Sequence, residues 1–273
     1  MSDEELALLN DLLSSELGII FAESKREILE SRLRPRLAAL RLRSFRDYYL
    51  QLQYANGDGA SERRELARAV TNNETYFFRE SYQFEALFEQ AIGGIKDHSA
   101  QPGVIRMISA GCSSGEEPYS LNIFARENAF RAFGWSVEID AFDVSDARVR
   151  AACAGSYTET SLRGVSPEQV QRYFHSGDGR YHLKPMYRAG VRIRLGNILD
   201  RASYGLPAMA DVIFCRNVLI YFSETSLRRA IANFAEALRP GGLLFLGHSE
   251  SIIGLCPDLE PVRLGSCIAY RRV

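Results

Sequence analysis

The stretch Ile105-Arg106-Met107-Ile108-Ser109-Ala110-Gly111-Cys112-Ser113-Ser114-Gly115-Glu116-Glu117-Pro118-Tyr119-Ser120 decides how the chain folds. An apolar run stops at a glycine, a small-residue turn follows, and a proline-opened helix begins. In a doubly wound sheet the first strand meets its first helix this way. Gly111 permits a tight turn and close backbone approach because it has no Cβ. Pro118 suits the first helical position, where a missing N–H costs nothing. Glu116 and Glu117 set this loop apart from a phosphate cradle, which has no use for two carboxylates at a helix N-terminus. They suit a ligand carrying positive charge there, such as the ammonium and sulfonium of S-adenosylmethionine. Spacing alone does not separate Glu116 from Glu117.

Downstream, apolar runs and helical patterns alternate: strand 104–110, helix 117–133, strand 136–142, helix 145–153, strands 191–195 and 211–215, helix 223–238 and strand 242–247, with a closing pair of strands over 261–271. Such alternation predicts a parallel sheet covered on both faces, with ligands at its carboxyl edge where the strand order reverses. Between 154 and 190 the pattern breaks, and Ser176-Gly177-Asp178-Gly179 with Tyr181–Tyr187 reads as a small β insertion. Upstream, 3–17, 24–42, 44–55, 61–71 and 80–97 read as helices, with Ser44 as an N-cap and Asn56-Gly57-Asp58-Gly59 as a break. The loop Ser99–Gly103 opens the α/β part. The expected boundaries are a helical domain over 1–75 and an α/β domain over 76–273, with the β insertion at about 168–191.

Two further signals lie at strand ends. Asp143 ends an apolar strand roughly 20–30 residues past the glycine loop, where an acid accepts ribose hydroxyls; the competing reading is a cap for the following helix. Cys215-Arg216-Asn217-Val218-Leu219-Ile220-Tyr221-Phe222 follows another buried strand, at the place a transferred group would occupy; alone, it could equally be a helix cap and a surface arginine.

Composition bounds the rest. The 273 residues are 46% hydrophobic and 25% charged with net charge −1, ordinary for a globular protein. No stretch of ~18 apolar residues suggests a membrane span, and Asp3, Glu4 and Glu5 do not open a signal peptide; a cytoplasmic monomer is expected. Five cysteines without a CxxC pair and four scattered histidines give no metal site. Charge is uneven: residues 3–23 hold six acids and no Lys or Arg, whereas residues 25–46 hold eight bases against two acids. Leu29, Leu33, Leu37 and Leu40 recur at helical spacing, so the latter segment reads as an amphipathic helix with a basic outer face, kinked or split near Arg34 by Pro35. A charged face is most often simply solvated. Arginine, however, suits carboxylates, and Arg32, Arg36 and Arg43 would offer an acidic partner a docking surface.

Several motifs together resemble the CheR family of protein-glutamate O-methyltransferases that act on chemotaxis receptors. They are Thr71-Asn72-Asn73-Glu74-Thr75-Tyr76-Phe77-Phe78-Arg79-Glu80, Ser113-Ser114-Gly115-Glu116-Glu117-Pro118-Tyr119-Ser120, Phe214–Phe222, Leu238-Arg239-Pro240-Gly241-Gly242-Leu243-Leu244-Phe245 and Gly247-His248-Ser249-Glu250. The resemblance runs from about residue 5 to the end. It implies a class I, Rossmann-like S-adenosylmethionine-dependent methyltransferase sheet with a small all-helical N-terminal domain and an inserted β subdomain. By that resemblance Asn73, Thr75 and Arg79 reach into the cofactor cleft, Glu117 or Glu116 holds the methionyl or adenosyl end, and Asp143 holds the ribose. Asn197 and Ile198 would flank the adenine, and Arg216, Asn217 and Val218 would line the methyl-transfer centre. Arg79 and Tyr221 would orient the substrate carboxylate, and S-adenosylhomocysteine would be the product. The partner implied is the acidic cytoplasmic helical bundle of a methyl-accepting chemoreceptor. The turn His175–Gly190 is shorter than in members that bind a receptor's C-terminal peptide, which favours direct docking over tethering.

Two other functions compete. Base-modifying enzymes commonly carry an Asn/Asp-Pro-Pro-aromatic segment where this chain has Arg216-Asn217-Val218-Leu219, and near-neutral charge disfavours a nucleic-acid partner. A cofactor-binding adaptor without catalysis is disfavoured by the retained Arg79, Asn217 and Tyr221.

Overall fold

Apolar strands that must be covered on both faces, and amphipathic helices to cover them, set the architecture. The computed structural model describes residues 1–54, 59–72, 74–98, 103–128, 134–205 and 209–273. The Asn56–Asp58 part of the expected break, most of the loop Ser99–Gly103, the end of the helix expected to reach 133, and Asn73 lie outside them.

The N-terminal unit holds α1 (Asp3–Leu17), α2 (Arg26–Leu40), α3 (Phe45–Tyr54) and α4 (Gly59–Val70). Ser2 opens α1 with a capping box: its hydroxyl accepts the Glu5 N–H, and the Glu5 carboxylate accepts the Ser2 N–H. Ser44 caps α3, accepting the Asp47 N–H at 3.0 Å. Leu9, Leu13, Leu29, Leu33, Tyr48 and Leu66 form the fully buried centre of this unit.

Two expectations about α2 need correction. Pro35 does not split it: the helix is continuous from Arg26 to Leu40, because Ser31 and Pro35 are exposed and water can take up the carbonyl that the proline cannot serve. Nor do its arginines form a free outer face. Arg36 donates from Nε and Nη2 to the two oxygens of buried Glu62, at 3.0 and 2.5 Å, and the Tyr48 hydroxyl donates to the same carboxylate at 2.8 Å. Arg32 Nη1 donates to the Val70 carbonyl. Both arginines therefore tie α2 to α4, while Arg43 is exposed.

Beyond the connector come α5 (Tyr82–Ala86), a π-helical turn over Leu87–Ala91, and α6 (Ile92–His98). Then follow β1 (Val104–Ala110), α7 (Glu116–Glu127), β2 (Ser136–Asp143), α8 (Asp146–Ala154), β3 (Ser156–Tyr157), α9 (Pro167–Tyr173), β4 (Phe174–Gly177), β5 (Arg180–Leu183), α10 (Pro185–Arg188), β6 (Val191–Leu195), β7 (Ala210–Cys215), α11 (Glu224–Ala237), β8 (Leu238–Leu246), β9 (Leu259–Leu264) and β10 (Cys267–Arg272). No helix among the described residues is long and apolar enough to cross a membrane.

Seven strands form one sheet in the order β6-β2-β1-β7-β8-β10-β9, parallel except at the β8-β10-β9 edge. Alternate residues face opposite layers: Ile108, Ala110, Ile213 and Cys215 pack with Ile231 and Phe234 of α11, whereas Ile105, Met107, Val212 and Phe214 pack with Leu121 of α7 and Leu87 and Phe88 of the π turn. Strand order reverses between β1 and β7, so the carboxyl ends of β1, β2 and β7 part and open a cleft. The smaller sheet is ordered β3-β5-β4, and its first strand lies upstream of the insertion expected at 168–191. Its hairpin turns on Asp178 and Gly179, both at positive φ (52° and 69°), as a tight two-residue turn requires.

The helical unit is latched onto the carboxyl edge. Ile19 pairs with Phe222, the Ile20 N–H donates to the Tyr221 carbonyl and the Ser223 N–H to the Gly18 carbonyl, both at 2.9 Å. Gly18 sits at φ 81°, where a Cβ would lie 3.0 Å from the Phe222 ring. Removing the Glu62 carboxylate strands the Tyr48 hydroxyl and the Arg36 charge inside this unit. Glu62→Ala should therefore lower the unfolding free energy by roughly 2–3 kcal/mol, read as a shift in the urea midpoint; an unchanged midpoint contradicts the pairing.

Candidate active site

The glycine loop shapes one wall of the cleft. Gly111 has φ 76°, and its N–H and that of Cys112 both donate to the Phe142 carbonyl, at 2.9 and 3.1 Å. A Cβ on Gly111 would stand 2.8 Å from Val218 Cγ2, so close packing of the β1 and β7 loops requires glycine there. Helix α7 starts at Glu116 with Gly115 (φ 92°) as its N-cap. Pro118 is thus the third helical residue rather than the first, tolerated because first-turn N–H groups lack intrahelical acceptors.

That earlier start separates the two acids. Glu117 lines the cleft, its Oε1 accepting from Ser109 Oγ at 2.8 Å and its Oε2 standing 3.0 Å from Arg216 Nε. Glu116 turns into the protein, accepting from Ser114 Oγ at 3.1 Å and Ser161 Oγ at 2.9 Å. Burial pushes both carboxyls above the ordinary carboxylate range; for Glu117 the Arg216 charge opposes that rise.

Asp143 sits at the end of β2, buried. Its Oδ2 accepts the Ser113 N–H at 2.8 Å and its Oδ1 the Ser145 N–H at 2.9 Å. It therefore steadies the glycine loop and the entry to α8 while lining the cleft. Desolvation raises its pKa, against the pull of those two N–H groups.

The cleft has two compartments that share Asn72, Gly111, Ser113, Asn217 and Val218. The apolar one, about 600 Å³, is walled by Phe142, Val144, Ile198 and Phe222, and also by Leu17 and Ile19 of the helical unit. Asp143, Asn197 and Tyr221 supply its polar edges. The polar one, about 480 Å³, gathers Thr75, Arg79, Glu117 and Arg216. Asn73 lies outside the described residues, and Glu116 lines neither compartment.

Several side chains have partners that sequence reading did not anticipate. Arg216 is a buried clamp: besides Glu117 it reaches the Arg79 carbonyl and Gln83 Oε1, and it lies over the Phe84 ring. Asn197 donates to the Glu16 carbonyl at 2.7 Å and accepts the Leu199 N–H at 2.9 Å, so its amide joins the helical unit to the sheet. Tyr221 and Arg79, expected to act together, belong to different compartments. The Tyr221 hydroxyl accepts from Asn72 Nδ2; Arg79 Nη1 donates to the Glu74 carbonyl at 2.9 Å. Leu17, Ile19 and Gln83 carry no sequence signal as site residues: Leu17 and Gln83 fall within expected helices, and Ile19 in the short connector between two of them.

An apolar slot edged by a strand-end acid, opening into a polar pocket with a half-buried acid, fits a nucleoside joined to a cationic amino-acid tail; it does not fit a pyrophosphate. The fold and cleft thus define an S-adenosylmethionine-dependent methyltransferase. Residues 73–264 match the family model described as CheR methyltransferase, SAM binding domain, and residues 4–71 that described as CheR methyltransferase, all-alpha domain. The chain belongs to the CheR methyltransferase family. It is 38% identical to chemotaxis protein methyltransferase 2 of Vibrio cholerae over 92% of this chain and 87% of that one. It is 37% identical to the chemotaxis protein methyltransferase of Vibrio anguillarum and 36% identical to chemotaxis protein methyltransferase 1 of Pseudomonas aeruginosa, each over 99% of this chain and 98% of the relative. It is accordingly an S-adenosylmethionine-dependent methyltransferase of chemotaxis.

The two acids predict a split. Glu117→Gln should weaken S-adenosylmethionine binding by roughly 1–3 kcal/mol, and Glu116→Gln should leave it near wild type; equal losses by calorimetry contradict the assignment. Protonation removes the charge of Glu117 and Asp143. Because both pKa values are raised, affinity should fall on acidification at a higher pH than an ordinary carboxylate would dictate. The sign for stability runs the opposite way in the free protein, where burial favours the protonated acids and their contribution is lost as pH rises through the raised values. Stabilisation by ligand should therefore shrink as pH falls, as ligand-induced shifts in Tm across a pH series would show.

Proposed function

We propose that this enzyme methylates the side-chain carboxylate of glutamates on the cytoplasmic helices of chemoreceptors, forming methyl esters for sensory adaptation. The observation that carries this reading is Arg79. Of the two arginines lining the polar compartment, Arg216 is paired with Glu117, whereas among the described residues no carboxylate stands within ion-pair distance of the Arg79 guanidinium. An incoming glutamate would supply one, and a bidentate arginine would orient it.

When bound, S-adenosylmethionine would supply a methyl carbon on a sulfonium: a carboxylate oxygen would bond to that carbon as its C–S bond breaks, and S-adenosylhomocysteine would leave as the neutral thioether. Glutamate, with a reference pKa of ~4.3, is already ionised at pH 7 and needs no general base. What the chain contributes is alignment, which alone can be worth about 7–11 kcal/mol. In this reading Glu117 holds the cofactor's ammonium, Asp143 the ribose hydroxyls, and Ile198 and Val218 the apolar slot. Thr75 and Asn217 sit beside the transfer point, and Tyr221 closes its far side. Asn73 belongs to the same group on the strength of its motif. The reading has the receptor dock directly, with no tethering peptide on the short Asp178-Gly179 hairpin. Since Arg32 and Arg36 are spent internally, long-range attraction for the acidic bundle falls to exposed arginines such as Arg41 and Arg43.

Arg79→Ala should cut kcat/KM for a receptor cytoplasmic fragment about 10²-fold or more. With methyl-labelled cofactor the wild type should leave base-labile label on receptor glutamates. Base-stable label, label on nucleic acid, or none at all contradicts the proposal, the last favouring a cofactor-binding adaptor. Turnover should also decline as ionic strength rises, and a flat profile would remove electrostatic steering.

A further inference from the structure

One carboxylate behind the loop that lines the cleft is not explained by cofactor or substrate. Glu250 follows β8 and turns back beneath the loop that leaves β7. Its Oε1 accepts the N–H groups of Val218 and Leu219, at 2.8 and 2.7 Å, and its Oε2 those of Asn217 and Gly247, at 2.9 and 2.7 Å. All four partners are backbone donors, and three are consecutive.

The loop needs such an anchor. Asn217 has φ 59°, a left-handed conformation that asparagine tolerates better than other non-glycine residues and that a fixed set of backbone hydrogen bonds holds in place. Aligning three N–H groups on one side chain creates a concentration of partial positive charge that the half-buried Glu250 carboxylate satisfies. Val218, the middle residue, presses against the Gly111 position from the other wall of the cleft. Gly247 completes the arrangement, since a Cβ there would lie 2.7 Å from Asn217 Nδ2 and 2.9 Å from Glu250 Oε2. The parallel register that places Cys215 beside Leu246 brings both loops to one edge.

We infer that Glu250 is a positioning residue for methyl transfer: its carboxylate clamps the backbone of residues 217–219 and thereby sets where Asn217 and Val218 stand at the junction of the two compartments. The inference rests on the proposed reading of that junction. A carboxylate is required because a glutamine of the same shape would turn an NH2 group toward two of the four donors, and an aspartate would fall one methylene short.

The test uses Glu250→Gln and Glu250→Asp, with Ser249→Ala at the exposed neighbouring position as control. Two readouts other than turnover are S-adenosylhomocysteine affinity by calorimetry and hydrogen exchange of the 217–219 amides. We expect Glu250→Gln to lose roughly tenfold or more in affinity and to exchange those amides faster, with Glu250→Asp between it and wild type. A folded Glu250→Gln protein with wild-type affinity, or with the 217–219 amides still protected, overturns the inference. Should Glu250→Gln fail to fold, Gly247→Ala probes the same contact by the same two readouts, with the same result expected and the same result overturning it. Ligand binding by the wild type tests the reading of the cleft separately, so a wild type that binds and a variant that binds equally well refute the role of Glu250 alone.

Discussion

A half-buried carboxylate, Glu117, and a buried guanidinium, Arg216, stand 3.0 Å apart where the strand order reverses. Such a pair is costly to desolvate and is a weak source of stability. Its value here lies in placement. Arg216 leaves the end of β7, reaches across to Glu117 at the start of α7, and also holds the Arg79 carbonyl of the connector. Three segments far apart in sequence thereby meet at one charged point. Burial raises the Glu117 carboxyl, so in the proposed reading a cationic ligand beside it would favour its charged form.

The helical unit belongs to the same construction. Leu17 and Ile19 wall the apolar compartment, Asn197 grips the Glu16 carbonyl, and the 18–20 backbone pairs with 221–223. In the proposed reading, the unit that faces the receptor is also a wall of the nucleoside slot. Its cohesion through Arg36, Glu62 and Tyr48 then bears on cofactor binding as well as on folding.

Much of this was legible locally. The first two strands of the α/β part announce themselves as apolar runs ending at a glycine or an acid, and Ser44 marks the start of α3 as an N-cap. What was not legible depends on neighbours distant in sequence. Arg32 and Arg36 look like a solvated face until α4 is folded against them. Glu116 and Glu117 could not be told apart because the helix begins two residues before Pro118, and adjacent helical positions point about 100° apart. Pro35 fails to break α2 because its surroundings are exposed. The roles of Arg79 and Asn73 came from motif resemblance alone, since a connector has no periodicity to betray a site.

The most direct measurement is a crystal structure with S-adenosylhomocysteine. The account predicts the amino-acid ammonium within hydrogen-bond distance of Glu117, the ribose hydroxyls on Asp143, and the adenine between Ile198 and Val218. An adenine seated beside Glu117, with the amino-acid end against Tyr221, would contradict it.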